Sequence, residues 1–163
     1  MLDKYFKRPI LWDYLIGVSV TAIAFILNFY EYIEIPEEKY IMPMSSDLST
    51  ISITSSGFIL TLLTVLITFK SNSQINKNNY SDSNTTFELF FASDLYIDTI
   101  KHLKNCVKSL IIIAVLGYLL KMLLNSNSYY WIYYFNLFSL FIIVLTLWRC
   151  LLILTAIFNM QKE

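Results

Sequence analysis

Charged residues are scarce in this chain, and so are the residues that interrupt helices. Only 15% of the 163 residues are charged, whereas 56% are hydrophobic, and the mean hydropathy is +0.57. A chain of this size with so little charge cannot enclose an apolar core within a water-soluble surface. The composition therefore excludes an ordinary soluble globule and indicates a membrane protein.

Glycine and proline are also few, with three of each in the whole chain, so long helices are expected to be mostly unbroken. A helix needs about 20 mostly apolar residues to cross about 30 Å of hydrocarbon. Four segments meet this requirement, and the expected spans are 9–30, 48–69, 106–124 and 131–158. The sequence predicts a single all-α membrane domain over residues 1–163, built as a bundle of four transmembrane helices.

Histidine and cysteine are nearly absent, which removes the usual donors of metal centres and of many catalytic sites. His102 is the single histidine, and between Lys101 and Lys104 we interpret it as a solvated surface residue. Cys106 and Cys150 do not form a CxxC pair, and we interpret them as buried or reduced thiols. No motif of a serine hydrolase, a zinc protease or a phosphate-binding loop occurs. We expect no enzyme activity, no metal ion and no cofactor.

Lysine and arginine are unevenly distributed, although the net charge is zero. They concentrate before the first span, between the second and third spans, and at the end of the chain, and the cytoplasmic side of a membrane protein is enriched in these residues. We therefore expect both termini and the loop of residues 70–105 to be cytoplasmic. The connection between the first two spans is acidic, and Pro36 and Pro43 are expected to prevent a continuous helix there.

The second half of the cytoplasmic loop has a two-faced helical pattern. Thr85 and Glu88 have the spacing of a capping box, which marks the start of a helix. Beyond them, apolar residues gather on one side and polar residues recur on the other. This pattern predicts an additional cytoplasmic amphipathic helix that leads into the third span. It would offer a surface to a cytoplasmic protein or ribonucleoprotein partner, and we assign to that surface Phe90, Ile97, Lys101 and Lys104.

Two charged residues of opposite sign fall inside the expected spans. Asp13 lies one turn into the first span, and Arg149 lies toward the inner end of the fourth. An ion pair between them would neutralise two groups that are unfavourable in hydrocarbon. In the alternative arrangement, each side chain extends to the cytoplasmic interface. The sequence leaves both arrangements open.

The second span carries a row of small and hydroxyl-bearing residues on one helical face, which we call the threonine row. Its spacing of 4, 3, 4, 3 and 4 residues keeps all six members on one side, and they are Thr50, Thr54, Gly57, Thr61, Thr64 and Thr68. One interpretation is helix packing, because small residues allow close approach. The other is the lining of a pore formed by several copies. A second set, the serine row, widens the polar face with Ser45, Ser49, Ser52 and Ser56.

The segment from Ser56 to Leu66, SGFILTLLTVL, resembles the second membrane helix of small multi-span membrane proteins associated with prokaryotic antiviral defence. This group includes accessory membrane proteins encoded beside RNA-guided CRISPR ribonucleases. The resemblance covers one helix and the overall layout, and no catalytic residues come with it. It implies a membrane effector that depolarises or permeabilises the host inner membrane after infection is sensed.

These features together predict a regulated pore or membrane-perturbing effector that acts in the lipid membrane as a homo-oligomer. Four helices of one protomer cannot enclose a wide aqueous path, so a pore requires several copies. The sequence contains no motif for direct nucleic-acid binding. The alternative function is a non-conducting membrane scaffold or regulatory subunit of a larger complex.

Overall fold

The computed structural model describes residues 9–72, 90, 91, 93–124 and 129–162. Within these ranges the regular structure is helical, and four long helices follow one another along the chain. They are α1 (Pro9–Phe29), α2 (Glu38–Asn72), α3 (Asp94–Leu123) and α4 (Tyr129–Lys162). Each of the four is long and apolar enough to cross a membrane. The prediction of an all-α chain with four helices that could each span a membrane is therefore confirmed.

The helices are held together around an aliphatic core. α2 and α3 form the most extensive pair, α1 packs chiefly on α4, and α4 also contacts α2 and α3. Ile59, Leu110 and Ile142 lie at the centre of the core and are fully buried. Large hydrophobic side chains also cover much of the outer surface, as a bundle surrounded by lipid requires.

The end of α1 fixes the path of the loop that follows it. The Tyr32 N–H donates to the Leu27 carbonyl at 3.0 Å, and the Glu31 N–H donates to the Asn28 carbonyl at 3.0 Å. These two bonds form a Schellman motif, in which the residue after the helix adopts a left-handed conformation. Glu31 occupies that position with φ 60°. Glycine is usual there, because a Cβ crowds the following carbonyl oxygen.

The first connection is not a continuous helix, as expected, because α1 ends at Phe29 and Pro36 lies in a non-helical stretch. The role expected for Pro43 is wrong, because α2 begins at Glu38 and contains Pro43. A proline at this position removes the hydrogen bond to the Lys39 carbonyl. Tertiary contacts next to the proline offset this loss. Ile41 is 1% exposed, and its carbonyl accepts a hydrogen bond of 3.1 Å from Asn136 Nδ2 on α4.

The structure does not support a separate amphipathic helix before α3, because only Phe90 and Phe91 are described as helical there. α3 starts at Asp94, after Ser93 in an extended conformation with φ −85° and ψ 164°, and continues to Leu123. The segment expected to form a helix of its own is, from Asp94 onward, the first part of the third candidate span. The capping box at Thr85 and Glu88 lies outside the described residues.

Candidate functional site

A buried ion pair joins α1 to α4. Arg149 Nη1 lies 2.6 Å from Asp13 Oδ2, and the two side chains are 1% and 2% exposed. Of the two arrangements that the sequence leaves open, the structure contains the pair. Removal of either partner would break a buried pair, which is strongly destabilising in surroundings of low dielectric constant.

The same arginine also contacts α3. Its Nη2 donates a hydrogen bond of 3.2 Å to Cys106 Sγ. Cys150 follows Arg149 in the chain. Both cysteines are free and buried, as the sequence predicts. Arg149 therefore connects α1, α3 and α4 at one level of the bundle.

The serine row forms the close contact between α2 and α3. All four of its side chains are buried. Ser52 Oγ donates to the Leu110 carbonyl at 3.0 Å. At Gly117, a Cβ would clash with the Ser49 hydroxyl. Small side chains on α2 and a glycine on α3 let the two backbones approach, which is the usual role of such residues between membrane helices.

The threonine row lies on another face of α2, and all six of its residues are exposed in the protomer. At about 100° per residue, it is rotated about 130° from the serine row. The Thr50 hydroxyl lies 3.2 Å from the Tyr118 hydroxyl of α3. Farther along, a Cβ on Gly57 would meet no described atom within 4 Å other than its chain neighbours and the nearby backbone of its own helix. The close helix packing that the sequence suggested for this row is therefore provided, within the protomer, by the serine row.

All five threonines of the row hydrogen-bond to their own helix. Thr61 Oγ1 donates to the Gly57 carbonyl at 3.1 Å, and each of the others donates to the carbonyl four residues earlier at 2.9 or 3.0 Å. Such bonds satisfy the hydroxyl hydrogen while leaving the oxygen available as an acceptor. The row is thus a polar strip of acceptors on the outside of the protomer.

The four residues assigned to a partner surface do not share one face. Phe90 is 5% exposed and packs on the Tyr96 ring, with 6.0 Å between centroids. Ile97 is 52% exposed, and Lys101 and Lys104 are exposed as well. Phe90 therefore belongs to the core. The extended conformation of Ser93 breaks the helical register between Phe90 and Ile97, so the expectation that they lie on one apolar side is wrong.

His102 is half-buried rather than fully solvated. Its Nδ1 is inaccessible and has no hydrogen-bond partner among the described residues. In that same part of the chain, no group of three histidine, cysteine, aspartate or glutamate side chains is arranged to hold a metal ion.

Comparison of the chain with protein-family models, curated proteins and solved structures gives no match. The class of protein is therefore inferred from the fold and its contacts alone. This is a multi-pass membrane protein with four candidate spans, in which buried polar groups connect the helices and one polar strip faces outward.

Proposed function

We propose that this protein is the subunit of a homo-oligomeric, regulated membrane pore or membrane-perturbing effector, with the threonine row lining the path. The observation that carries the proposal is the exposure of the whole row on the outside of the protomer. From Thr50 to Thr68, the row extends about 27 Å at 1.5 Å per residue. This length is close to the thickness of the hydrocarbon core, about 30 Å.

The interior of the protomer offers no alternative path among the described residues, because aliphatic side chains fill the centre of the bundle. A polar path therefore has to form between copies, where strips from several protomers face a common axis. Five hydroxyl oxygens per protomer would then be available to accept hydrogen bonds from water or to contact cations.

The proposal includes a setting in the cell. The distribution of lysine and arginine supports a topology with both termini in the cytoplasm, and the resemblance described above supports the plasma membrane of a bacterium. The resemblance of the Ser56 to Leu66 segment supports a role in antiviral defence. Exposed residues at the start of α3 are the proposed contact for a cytoplasmic protein or ribonucleoprotein that triggers the effector, namely Ile97, Lys101 and Lys104.

The topology has a direct test. Single cysteines are introduced at Glu37 and at Lys77, in a chain whose native cysteines are replaced by serine. On intact cells, an impermeant thiol reagent should label the cysteine at position 37 and leave the one at position 77 unlabelled until the membrane is opened. Equal labelling of the two positions contradicts the topology.

A specific observation favours the alternative function, a non-conducting membrane scaffold or regulatory subunit. The threonine hydroxyls already donate to their own helix, so the row can face lipid without unsatisfied donors. Exposure alone is therefore compatible with a helix that never meets water. Ion flux has to decide between the two functions.

The decisive measurement is ion flux from liposomes that contain purified protein. Simultaneous replacement of Thr54, Thr61 and Thr64 by valine keeps the shape nearly constant and removes the hydroxyls, which favours dewetting of a narrow path. We expect flux to fall at matched oligomer yield. The matched control is Thr155→Val on α4, because Thr155 is also exposed and donates to its own helix, to the Leu151 carbonyl at 2.9 Å.

A charge on the row provides the complementary test. Thr61→Lys should shift the selectivity of a pore toward anions, whereas Thr155→Lys should leave it unchanged. Unchanged flux and selectivity in all row variants remove the row from the conduction path. Absence of flux from the unaltered, assembled protein in the presence of its partner supports the non-conducting subunit instead.

A further inference from the structure

Three adjacent depressions lie between α1, α4 and the loop that follows α1, and because they share lining residues we call them together the groove. Its apolar part has a volume of about 620 Å³ and is lined by residues that include Val18, Ala22, Phe25, Ile26, Trp131 and Phe138. A polar mouth of about 480 Å³ is lined by residues that include Asn28, Glu31, Glu34, Tyr129 and Tyr130. A narrower section of about 240 Å³ shares Phe25 and Trp131 with the apolar part, and Asn28 and Tyr130 with the mouth.

The dimensions of the groove match one leaflet of a bilayer. From Val18 to Asn28, α1 rises about 15 Å at 1.5 Å per residue, which is half of the hydrocarbon thickness of about 30 Å. The apolar part alone falls within the range of about 300–1,000 Å³ that small-molecule sites occupy. An acyl chain from one leaflet therefore fits the length and the chemistry of the apolar part.

The mouth is electronegative. Glu31 and Glu34 contribute two carboxylates, and the residues that line the mouth include no lysine or arginine. Lys39, which follows in the chain, pairs with Glu37 at 2.6 Å. The stacked rings of Tyr129 and Tyr130, 4.1 Å apart, add the negative faces that attract cations.

Hydrogen bonds fix the shape of the mouth in the absence of a ligand. Asn28 Nδ2 donates to the Ile33 carbonyl at 2.7 Å, and Asn28 Oδ1 accepts from the Tyr134 hydroxyl at 3.1 Å. Asn28 thereby ties the loop to α4, and the Schellman turn fixes Glu31 beside it. A mouth that is already formed loses little conformational entropy when a ligand enters.

We propose that this groove binds a phospholipid whose headgroup carries a primary ammonium, as in phosphatidylethanolamine. One acyl chain lies along the apolar part, and the ammonium donates charge-assisted hydrogen bonds to Glu31 and Glu34. An anionic headgroup such as that of phosphatidylglycerol meets two like charges in the mouth and is disfavoured. The proposal requires a membrane around the chain but does not depend on ion conduction.

Tryptophan quenching by brominated lipid tests the proposal, because Trp131 lines both the apolar part and the narrow section. Trp12 and Trp148 are replaced by phenylalanine so that Trp131 is the single fluorophore. The full chain is placed in vesicles of equal phosphatidylethanolamine and phosphatidylglycerol, with bromine on the acyl chains of one lipid or the other. We expect brominated phosphatidylethanolamine to quench Trp131 about threefold more than brominated phosphatidylglycerol does. The difference is modest because exposed ion pairs are individually weak.

Three variants assign the selectivity to the groove. Glu31→Gln with Glu34→Gln should bring the two lipids to equal quenching. Glu37→Gln is the matched control in the same loop, and it should keep the preference because Glu37 lies outside the mouth. Ala22→Phe fills the apolar part and should also abolish the preference, while circular dichroism reports whether the helices are intact.

Equal quenching by both lipids in the unaltered chain overturns the proposal. So does a preference that survives the loss of both carboxylates, because the headgroup would then be recognised elsewhere. A preference that survives Ala22→Phe overturns the position of the acyl chain. None of these results depends on ion flux, so failure here and failure of the proposed pore are distinguishable.

Discussion

Replacement of Asp13 by asparagine should destabilise the bundle more than any surface charge change. The variant keeps the size of the side chain but leaves Arg149 buried at 1% exposure without its carboxylate. Two charges about 4 Å apart at an effective dielectric constant of about 20 interact by about 4 kcal/mol. Measured losses after removal of one partner from a buried pair are about 3–5 kcal/mol. We expect a loss of that size in the free energy of unfolding.

The assay is equilibrium unfolding of the purified protein in mixed micelles, driven by sodium dodecyl sulfate and followed by circular dichroism. Asp47→Asn is the control, because Asp47 is an exposed aspartate on α2. Its replacement should change the free energy of unfolding by no more than about 0.5 kcal/mol. The comparison separates the loss of a buried partner from the loss of a negative charge in general.

A double variant tests the reason for the loss. Asp13→Leu with Arg149→Met removes both charges, and replacement of a whole buried pair by apolar residues is often neutral or stabilising. The double variant should therefore be more stable than Asp13→Leu alone or Arg149→Met alone, with a coupling energy of about 1–3 kcal/mol. Additive losses, or a loss below about 1 kcal/mol for Asp13→Asn, would refute the assignment of the pair as a buried structural contact.

Three further predictions use the same unfolding assay. Gly117→Ala should lower the free energy of unfolding by about 1–3 kcal/mol through overpacking against α2. Gly57→Ala, where the added methyl group meets open space, should raise it by up to about 1 kcal/mol through helix propensity. Equal effects of the two variants would contradict the assigned faces. Phe90→Asp should lower the free energy of unfolding by more than about 3 kcal/mol, because Phe90 is buried. Ile97→Asp should lower it by less than about 1 kcal/mol, because Ile97 is exposed. A larger effect at position 97 would reverse the assignment. Glu31→Gly should gain about 1 kcal/mol by relieving the left-handed conformation, and a loss would show that other contacts of Glu31 outweigh the backbone strain.

The sequence was sufficient for the four spans because hydrocarbon imposes a minimum length and a composition that few other structures share. It also identified both partners of the Asp13–Arg149 contact, since charges inside apolar segments are few. It did not identify Cys106 as a hydrogen-bond partner of Arg149. That contact depends on the rotation of α3 against α4, and no periodicity in the sequence reports such a rotation.

For the two polar rows of α2, the sequence pattern did not determine which row packs against another helix. Both rows repeat at helical spacing, so the pattern could not decide which of them packs. In the structure, Ser49 faces Gly117, and the close approach is possible only where both helices carry small residues. The glycine that the sequence places beside the threonines, Gly57, has no such partner within the protomer. The row that packs can be recognised only when small residues on the facing helix are considered as well.

The buried ion pair has a consequence for how the chain is made. Asp13 and Arg149 are separated by 136 positions, so the first helix is synthesised long before its partner exists. At about 5–20 residues per second, the interval is on the order of ten seconds. During that time the carboxyl group of α1 lacks the arginine that it contacts in the folded bundle. Docking of α1 onto α4 is therefore a late step of assembly, and a chain that stops before α4 cannot form the buried contact that joins its first helix to the bundle.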